Sequence, residues 1–340
     1  MDSIPGACRA RRPLRRAMLG MALLLTALSF ASLGYGAGDV SFAQAMQVLA
    51  GAGRDSDAGF VVTQLRLPRT ILAMIVGAAL GAAGVVLQAA TRNPLAEPGL
   101  LGVSAGASFA VVLAISLGAG AATLHLGIAV LGALVGCLLV LLVTQVSDVG
   151  DDPVRLVLAG AAFSGILMSI STLILLYDQR TADEIRFWII GALGGRSAAT
   201  LYWSAPGLLA GLLMLLPAVR PLAALALGEK VATGLGHHPR ATRVWALISV
   251  AVLVGTATAA AGPIAFVGLV VPFVARRFVG PDIRRTLGLS LLIGPVVVMF
   301  SDIVSRLVVK PYELPIGVVT AMVGAPVLIA IVRSHRLPRL

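Results

Sequence analysis

The sequence predicts an all-α polytopic membrane protein of about ten transmembrane helices, on three observations. Of its 340 residues, 58% are hydrophobic and only 12% charged, about half the charged share of a soluble domain. The mean hydropathy is +0.98, and the apolar residues fall in runs long enough to cross a hydrocarbon core of roughly 30 Å. The 38 glycines and 18 prolines sit within these runs, where both are more frequent than in soluble helices. The net charge of +11 does not mark a nucleic-acid partner, because the arginines lie between apolar runs and form no basic domain. The two cysteines, Cys8 and Cys137, make no disulfide framework.

The first span is expected at about 17–34, behind Arg9, Arg11, Arg12, Arg15 and Arg16. A charged start, an apolar run and small residues near Gly36 also fit a cleaved signal peptide, but nine further runs follow and an uncleaved span is the expectation. Those runs are Pro68–Ala90, Pro98–Leu117, Leu124–Val146, Val154–Tyr177, Thr200–Val219, Val244–Ala261, Pro263–Val279, Thr286–Val308 and Ile316–Val332. Pro263–Val279 is short and contains Pro272, so it is expected to be bent or incomplete. Ten spans put both termini on one side. The segments on that side hold 18 of the 26 lysines and arginines, which places both termini in the cytoplasm. Small residues four apart, Gly77 and Gly81, Gly132 and Gly136, Gly191 and Gly195, allow close helix packing in lipid.

Two apolar segments are interrupted. In Gln88–Gly106, Asn93-Pro94 and Glu97-Pro98-Gly99 stop one helix and start another. Ala261–Gly268, followed by Pro272, breaks a segment in the corresponding place of the second half. Paired interruptions point to an internal repeat around a pathway, with units at about 66–177 and 243–332. The first begins outside and the second inside, so their topology is inverted. Between them lies a basic loop at about 220–243, with Arg220, Lys230, Arg240 and Arg243 against one acid, Glu229. A short helix over Pro221–Thr233 is expected there, ended by Gly234, Gly236 and Pro239.

Chemistry-bearing residues inside the spans are few. Asp302 precedes Arg306 by four residues, a spacing that forms a local ion pair; a proton relay is the other reading of an intramembrane carboxylate. None of the histidines, His125, His237, His238 and His335, has ligand spacing within a span, and no metal site is expected. There is no G-x-x-x-x-G-K-[ST], so a phosphate-binding loop would have to come from another chain. No paired-carboxylate or Ser/His/Asp set suggests an enzyme. Arg66, Arg69, Arg306 and Lys310 line the outer rim, as water-facing anchors or as partners for carboxylates of an external protein.

Four stretches, RLPRT (Arg66–Thr70), RNPLAEPGLLGVSAGAS (Arg92–Ser108), GPIAFVGLVVP (Gly262–Pro272) and ELPIGVVTAMVGAPV (Glu313–Val327), resemble the FecCD-type (type II) ABC importer permeases of the iron–siderophore, haem and cobalamin family. The wording is most like ferric-siderophore permeases. The resemblance spans the chain from about Arg66 onward. It implies a single permease domain with no enzymatic activity and no cofactor, in the bacterial cytoplasmic (inner) membrane. Its implied partners are cytoplasmic ABC ATPase subunits, an extracytoplasmic substrate-binding protein and a second permease subunit, the same or a homologous chain. By the same resemblance, Arg66, Arg69 and Arg306 dock the binding protein, and Asn93 and Leu95 belong to a cytoplasmic gate. Asp151-Asp152-Pro153-Val154 departs from the cobalamin permease's gate loop. Leu227, Gly228 and Glu229, with Gly234 and Gly236, fit the element that couples to the ATPase. The function it implies is a pathway for a ferric-siderophore-type iron chelate; a haem or cobalamin permease of the same family, or an ion-coupled secondary transporter, is the alternative.

Overall fold

In lipid a backbone finds no water to bond, so an apolar segment must close its hydrogen bonds internally. In a computed structural model, which describes residues 11–36, 40–53, 55–119, 124–145, 153–186, 188–196, 198–309 and 312–333, every regular element is helical. The elements are α1 (Arg11–Gly34), α2 (Phe42–Leu49), α3 (Leu67–Thr91), α4 (Val103–Ser116), α5 (Leu124–Gln145), α6 (Pro153–Tyr177), α7 (Gln179–Ile185), α8 (Ala199–Ala226), α9 (Glu229–Gly234), α10 (Pro239–Ala261), α11 (Val267–Val279), α12 (Ile283–Leu307) and α13 (Ile316–Arg333). A helical turn at Asp57–Phe60 and a π-helical turn at Val61–Arg66 lead into α3. Asp151, Asp152 and Lys310 lie outside the described residues.

Each of the ten expected spans has an apolar helix, but two start later than expected: Pro98–Leu101 is a separate 3-10 turn ended by left-handed Gly102, so α4 begins at Val103, and α11 begins at Val267 instead of Pro263. Six stretches are long and apolar enough by themselves to cross a membrane: Leu14–Gly34, Asp57–Thr91, Leu158–Tyr177, Ala199–Ala226, Pro239–Ala261 and Ile283–Leu307. Shorter apolar helices include Val103–Ser116 and Ile316–Ala330. α11 has only 13 residues and carries Pro272 inside it, in keeping with an incomplete span. The most apolar windows of the α3 and α10 stretches are 83% and 78% buried, whereas those of α1 and α6 are 17% buried. α3 and α10 therefore form the centre of the bundle, and α1 and α6 its periphery.

The two halves have the same order: a long helix, a break, a short helix and two further helices. Their contacts exchange as well. α3 packs on α11 and α12, α10 packs on α4 and α5, and α3 and α10 pack on each other. Two inverted units related by an axis between α3 and α10 would leave this pattern.

Glycine sets the closest approaches. A Cβ on Gly77 would lie 2.5 Å from the Gly294 backbone, and one on Gly84 would run into the Gly268 carbonyl. Gly106 and Gly132 face each other in the same way across α4 and α5. Two of the three expected glycine pairs thus mark helix contacts. The third does not: Gly191 and Gly195 lie in the Trp188–Arg196 loop with φ of 82° and 71°. These two serve a turn, which spacing alone does not distinguish from a helix face.

The expected short helix from Pro221 is also corrected. α8 runs through Pro206, Pro217 and Pro221 to Ala226, and a separate helix starts only at Glu229. Proline removes one bond from the ladder but does not end a membrane helix whose neighbours support it. The break comes instead at Gly228, whose φ is 116°. Gly84→Leu is expected to cost roughly 1–3 kcal/mol through overpacking, read as a lowered unfolding midpoint of the purified protein, whereas Gly20→Ala, with open space around it, should be neutral.

Candidate functional site

Three arginines converge where α1 and α12 end and α3 begins. Asp302 and Arg306 are one turn apart on α12, so their side chains share a face, and Arg306 Nη2 donates to Asp302 Oδ2. The second carboxylate oxygen, Oδ1, accepts from Arg69 Nε and Nη2, both at 2.9 Å. Arg69 Nη1 also donates to Glu313 Oε1 at 3.0 Å and Oε2 at 2.7 Å. Asp302 is 0% and Arg306 2% exposed, and charges this far from water persist only when paired and hydrogen-bonded.

The same arginines close the end of α1. A helix leaves its last carbonyls without intrahelical donors. Arg306 Nη1 donates to Ser32 O at 3.0 Å and Tyr35 O at 3.2 Å, and its Nη2 to Ser32 Oγ at 2.7 Å. Arg66 Nη1 donates to Leu33 O and Gly34 O, both at 3.0 Å, and Nη2 to Val40 O at 3.3 Å. Both guanidiniums sit at the negative end of the α1 dipole. Arg66 is only 4% exposed. The π-helical turn that places it ends one residue before Leu67-Pro68 opens α3 with a proline that has no N–H for the ladder. Arg66 and Arg306 are thus engaged internally and not presented to solvent, while Arg69 keeps 12% of its side chain exposed.

Together these residues line an open cleft of about 570 Å³ that also takes in Arg196 and Tyr312. Four arginines meet two carboxylates there, Glu313 on its wall and Asp302 behind it, so the cleft is cationic. Sequence reasoning singled out the three arginines and the Asp302–Arg306 spacing. It did not join Arg69 to Asp302, which is 233 residues away, nor bring in Arg196.

At the other end of α3 the chain reverses on Arg92, a left-handed residue with φ of 50°. Asn93 Oδ1 accepts from the Leu95 N–H at 2.9 Å, an Asx turn that leaves Leu95 exposed. The two expected gate residues are therefore in one turn. Beyond it, the Glu97 carboxylate accepts from the Phe266 N–H, at the start of α11, where the helix dipole favours a negative group. Gly268 faces Pro98 as well as Gly84. The two breaks are in direct contact. Gln88 Nε2 bridges Ala96 O and Leu269 O at 3.4 Å each, and Gln88 Oε1 accepts from buried Arg276 Nη1 at 2.6 Å. Gln88 and Glu97 passed in the sequence as turn-flanking residues; the signal was a polar side chain at the edge of an otherwise apolar run.

The basic loop folds into one exposed element. Gly228 separates α8 from α9, and Gly236, with φ of 81°, separates α9 from α10. Leu227, Val231 and Leu235, spaced four apart, are 71%, 44% and 62% exposed. Val231 lies on the six-residue α9, and Leu227 and Leu235 flank it on either side, so the element presents three exposed apolar side chains. Glu229 pairs with Arg243 and ties α9 to the second turn of α10. Leu227, Gly228, Glu229, Gly234 and Gly236 all belong to this helix and its two hinges.

Residues 24–334, which include the outer cluster, both breaks and α9, match the FecCD transport family. The chain is 42% identical over 319 residues to the ferric enterobactin transport system permease protein FepD of Escherichia coli (strain K12), covering 93% of this chain and 95% of that protein. It is 33% identical over 305 residues to the Fe(3+)-citrate import system permease protein YfmD of Bacillus subtilis (strain 168), covering 90% of each. Among solved structures, a metal-chelate type ABC transporter in an inward-facing conformation aligns with a TM-score of 0.82 at 30% identity, over 94% of this chain and 99% of that one. With the four motifs in place, the two broken half-units in contact and the match running through all of them, the chain belongs to the FecCD transport family.

Proposed function

We propose that the chain is the permease subunit of an ABC importer and passes a ferric-siderophore-type iron chelate across the bacterial cytoplasmic membrane. The observation that carries this reading is the 42% identity, over 93% of the chain, to a ferric enterobactin permease. The chain holds no phosphate-binding loop, so ATP is hydrolysed by separate cytoplasmic ABC ATPase subunits. A second permease subunit, the same or a homologous chain, completes the pathway. The positive-inside count supports a topology with both termini in the cytoplasm.

On this reading the chelate arrives on an extracytoplasmic binding protein at the outer cleft. Arg69, the least buried of Arg66, Arg69 and Arg306, meets carboxylates of that protein together with Arg196. Arg66 and Arg306 fix the end of α1 and add positive potential from behind; a direct pair with the partner would first require release of their internal acceptors. The exposed apolar residues of α9 and its flanks, Leu227, Val231 and Leu235, sit in a groove of the ATPase, with Gly228 and Gly236 as hinges and Glu229–Arg243 passing the displacement to α10. Because α10 leads into the second break, and Glu97 ties that break to the Asn93–Leu95 turn, motion of α10 reaches the gate. The two units rock about the site without chemistry on the chelate.

Deleting the gene should abolish growth on a ferric siderophore as sole iron source, and reintroducing it should restore growth; unchanged uptake of radioactive iron in the deletion strain would refute the reading. Arg69→Glu with Arg196→Glu should weaken binding-protein association, most at low salt, where exposed charges are least screened; titrations at two ionic strengths read this. Leu227→Asp with Leu235→Asp should lower coupled transport on the order of tenfold or more while the protein stays in the membrane, assayed in vesicles as iron uptake per ATP hydrolysed. Asp302→Asn takes the carboxylate from buried Arg306 and leaves Arg69 with Glu313 alone, at a cost of roughly 3–5 kcal/mol, seen as a lowered unfolding midpoint. Uptake per folded molecule should keep its pH profile, whereas a proton relay through Asp302 would lose it.

A further inference from the structure

The end of the bundle opposite the arginine cluster carries a second basic feature. A groove of about 700 Å³ runs between the starts of α1 and α12. Arg15, Met18, Leu19 and Ala22 line it from α1, a spacing that puts all four on one helix face. Arg284, Arg285 and Leu292 line it from α12, with Asp282 at the helix start. Asp282 Oδ1 accepts from the Arg284 N–H at 2.9 Å, and its carboxylate lies 3.5 Å from Arg285 Nε. The acid therefore serves the helix start and Arg285. The Arg15 and Arg284 side chains have no acceptor among the described residues.

The lining is graded. The arginines stand near the starts of both helices, Arg15 in the second turn of α1 and Arg284 and Arg285 in the first turn of α12, where the chain leaves the membrane on its more basic side. Leu19, Ala22 and Leu292 follow one to three turns deeper. Leu19 is 56% exposed, and α1 as a whole is a peripheral helix. A soluble anion would satisfy the arginines but leave the apolar walls bare. A purely apolar occupant would leave the arginines without acceptors. A molecule with an anionic head and hydrocarbon tails satisfies both ends in one orientation, because arginine forks match phosphate oxygens.

We propose that this groove is a binding site for one anionic phospholipid of the surrounding membrane, its phosphate held by Arg15 and Arg284 and its acyl chains lying along α1 and α12. Such basic pockets between helices are where anionic headgroups dwell on the cytoplasmic side. The site depends on the chain spanning a membrane and not on the identity of the transported chelate. Its position gives it a task. α1 is held to α12 at the far end by Arg306; a lipid here holds the two helices at the near end.

The test is native mass spectrometry of the full-length protein released from bilayer nanodiscs that contain phosphatidylglycerol or phosphatidylethanolamine. One phosphatidylglycerol should remain bound to the wild type, on the order of tenfold more often than phosphatidylethanolamine. Arg15→Gln with Arg284→Gln should lose that preference, and Arg15→Lys with Arg284→Lys should retain it. Both pairs alter exposed side chains, and thermal unfolding confirms the fold; Arg284→Gln alone provides a milder variant with a partial loss. Equal retention of the two lipids, unchanged retention in the glutamine variants, or displacement of the lipid by millimolar inorganic phosphate would each overturn the proposal.

Discussion

The carboxylate of Asp302 lies between guanidiniums from two different helices, Arg306 on its own α12 and Arg69 on α3. Without it two cations would face each other in a medium that screens them poorly. With it, α12 and α3 can meet closely enough for Gly77 and Gly294 to touch. Arg306 is then oriented so that its remaining donors reach the last carbonyls of α1. Arg66 completes that end from the other side, donating to the α1 carbonyls of Leu33 and Gly34 and to Val40 O. The position of α1 thus follows from α12, and the position of α12 from one buried charge.

α3 connects this outer cluster to the rest. At 1.5 Å per residue its 25 residues span roughly 37 Å. Its beginning holds Arg69, its middle packs glycine against α12, and its end holds Gln88 against α11 and Arg276. The first break returns from there to meet the second through Glu97 and Phe266. Rigid helices therefore carry charge pairs at one end and a joint of irregular backbone at the other. Irregular backbone at membrane depth is tolerated where protein surrounds it, and the contact of the two breaks supplies that surround.

Much of this was legible in the chain. Ten apolar runs became ten helices because lipid leaves a backbone few choices. The Asp302–Arg306 pair followed from its spacing. Asn93 and Leu95 fell in one turn because Asn-Pro is a turn signal with a mechanism. What the sequence did not show was long-range pairing. Nothing local joins Arg69 to Asp302, or Glu97 to Phe266, across 233 and 169 residues. Nor does it separate an arginine that faces water from one turned inward onto the end of another helix, which is why Arg66 and Arg306 read as rim residues. Pro221 read as a helix start because a proline at N1 and a proline inside a supported membrane helix look alike in one dimension. Gly191 and Gly195 had the spacing of a packing motif and the conformation of a turn.

The Gly84–Gly268 contact also constrains how the two halves can change over generations. The first residue lies about two turns before the end of the central helix of one unit, and the second is in the first turn of the short helix of the other. They meet backbone to backbone, with no side chain between them to shrink in compensation. A methyl group gained on either side cannot be offset by a smaller residue on the other, since glycine is already the smallest. The halves are free to diverge over most of their lengths, but at this crossing neither can drift alone, and a descendant that accepts bulk there must first move a helix.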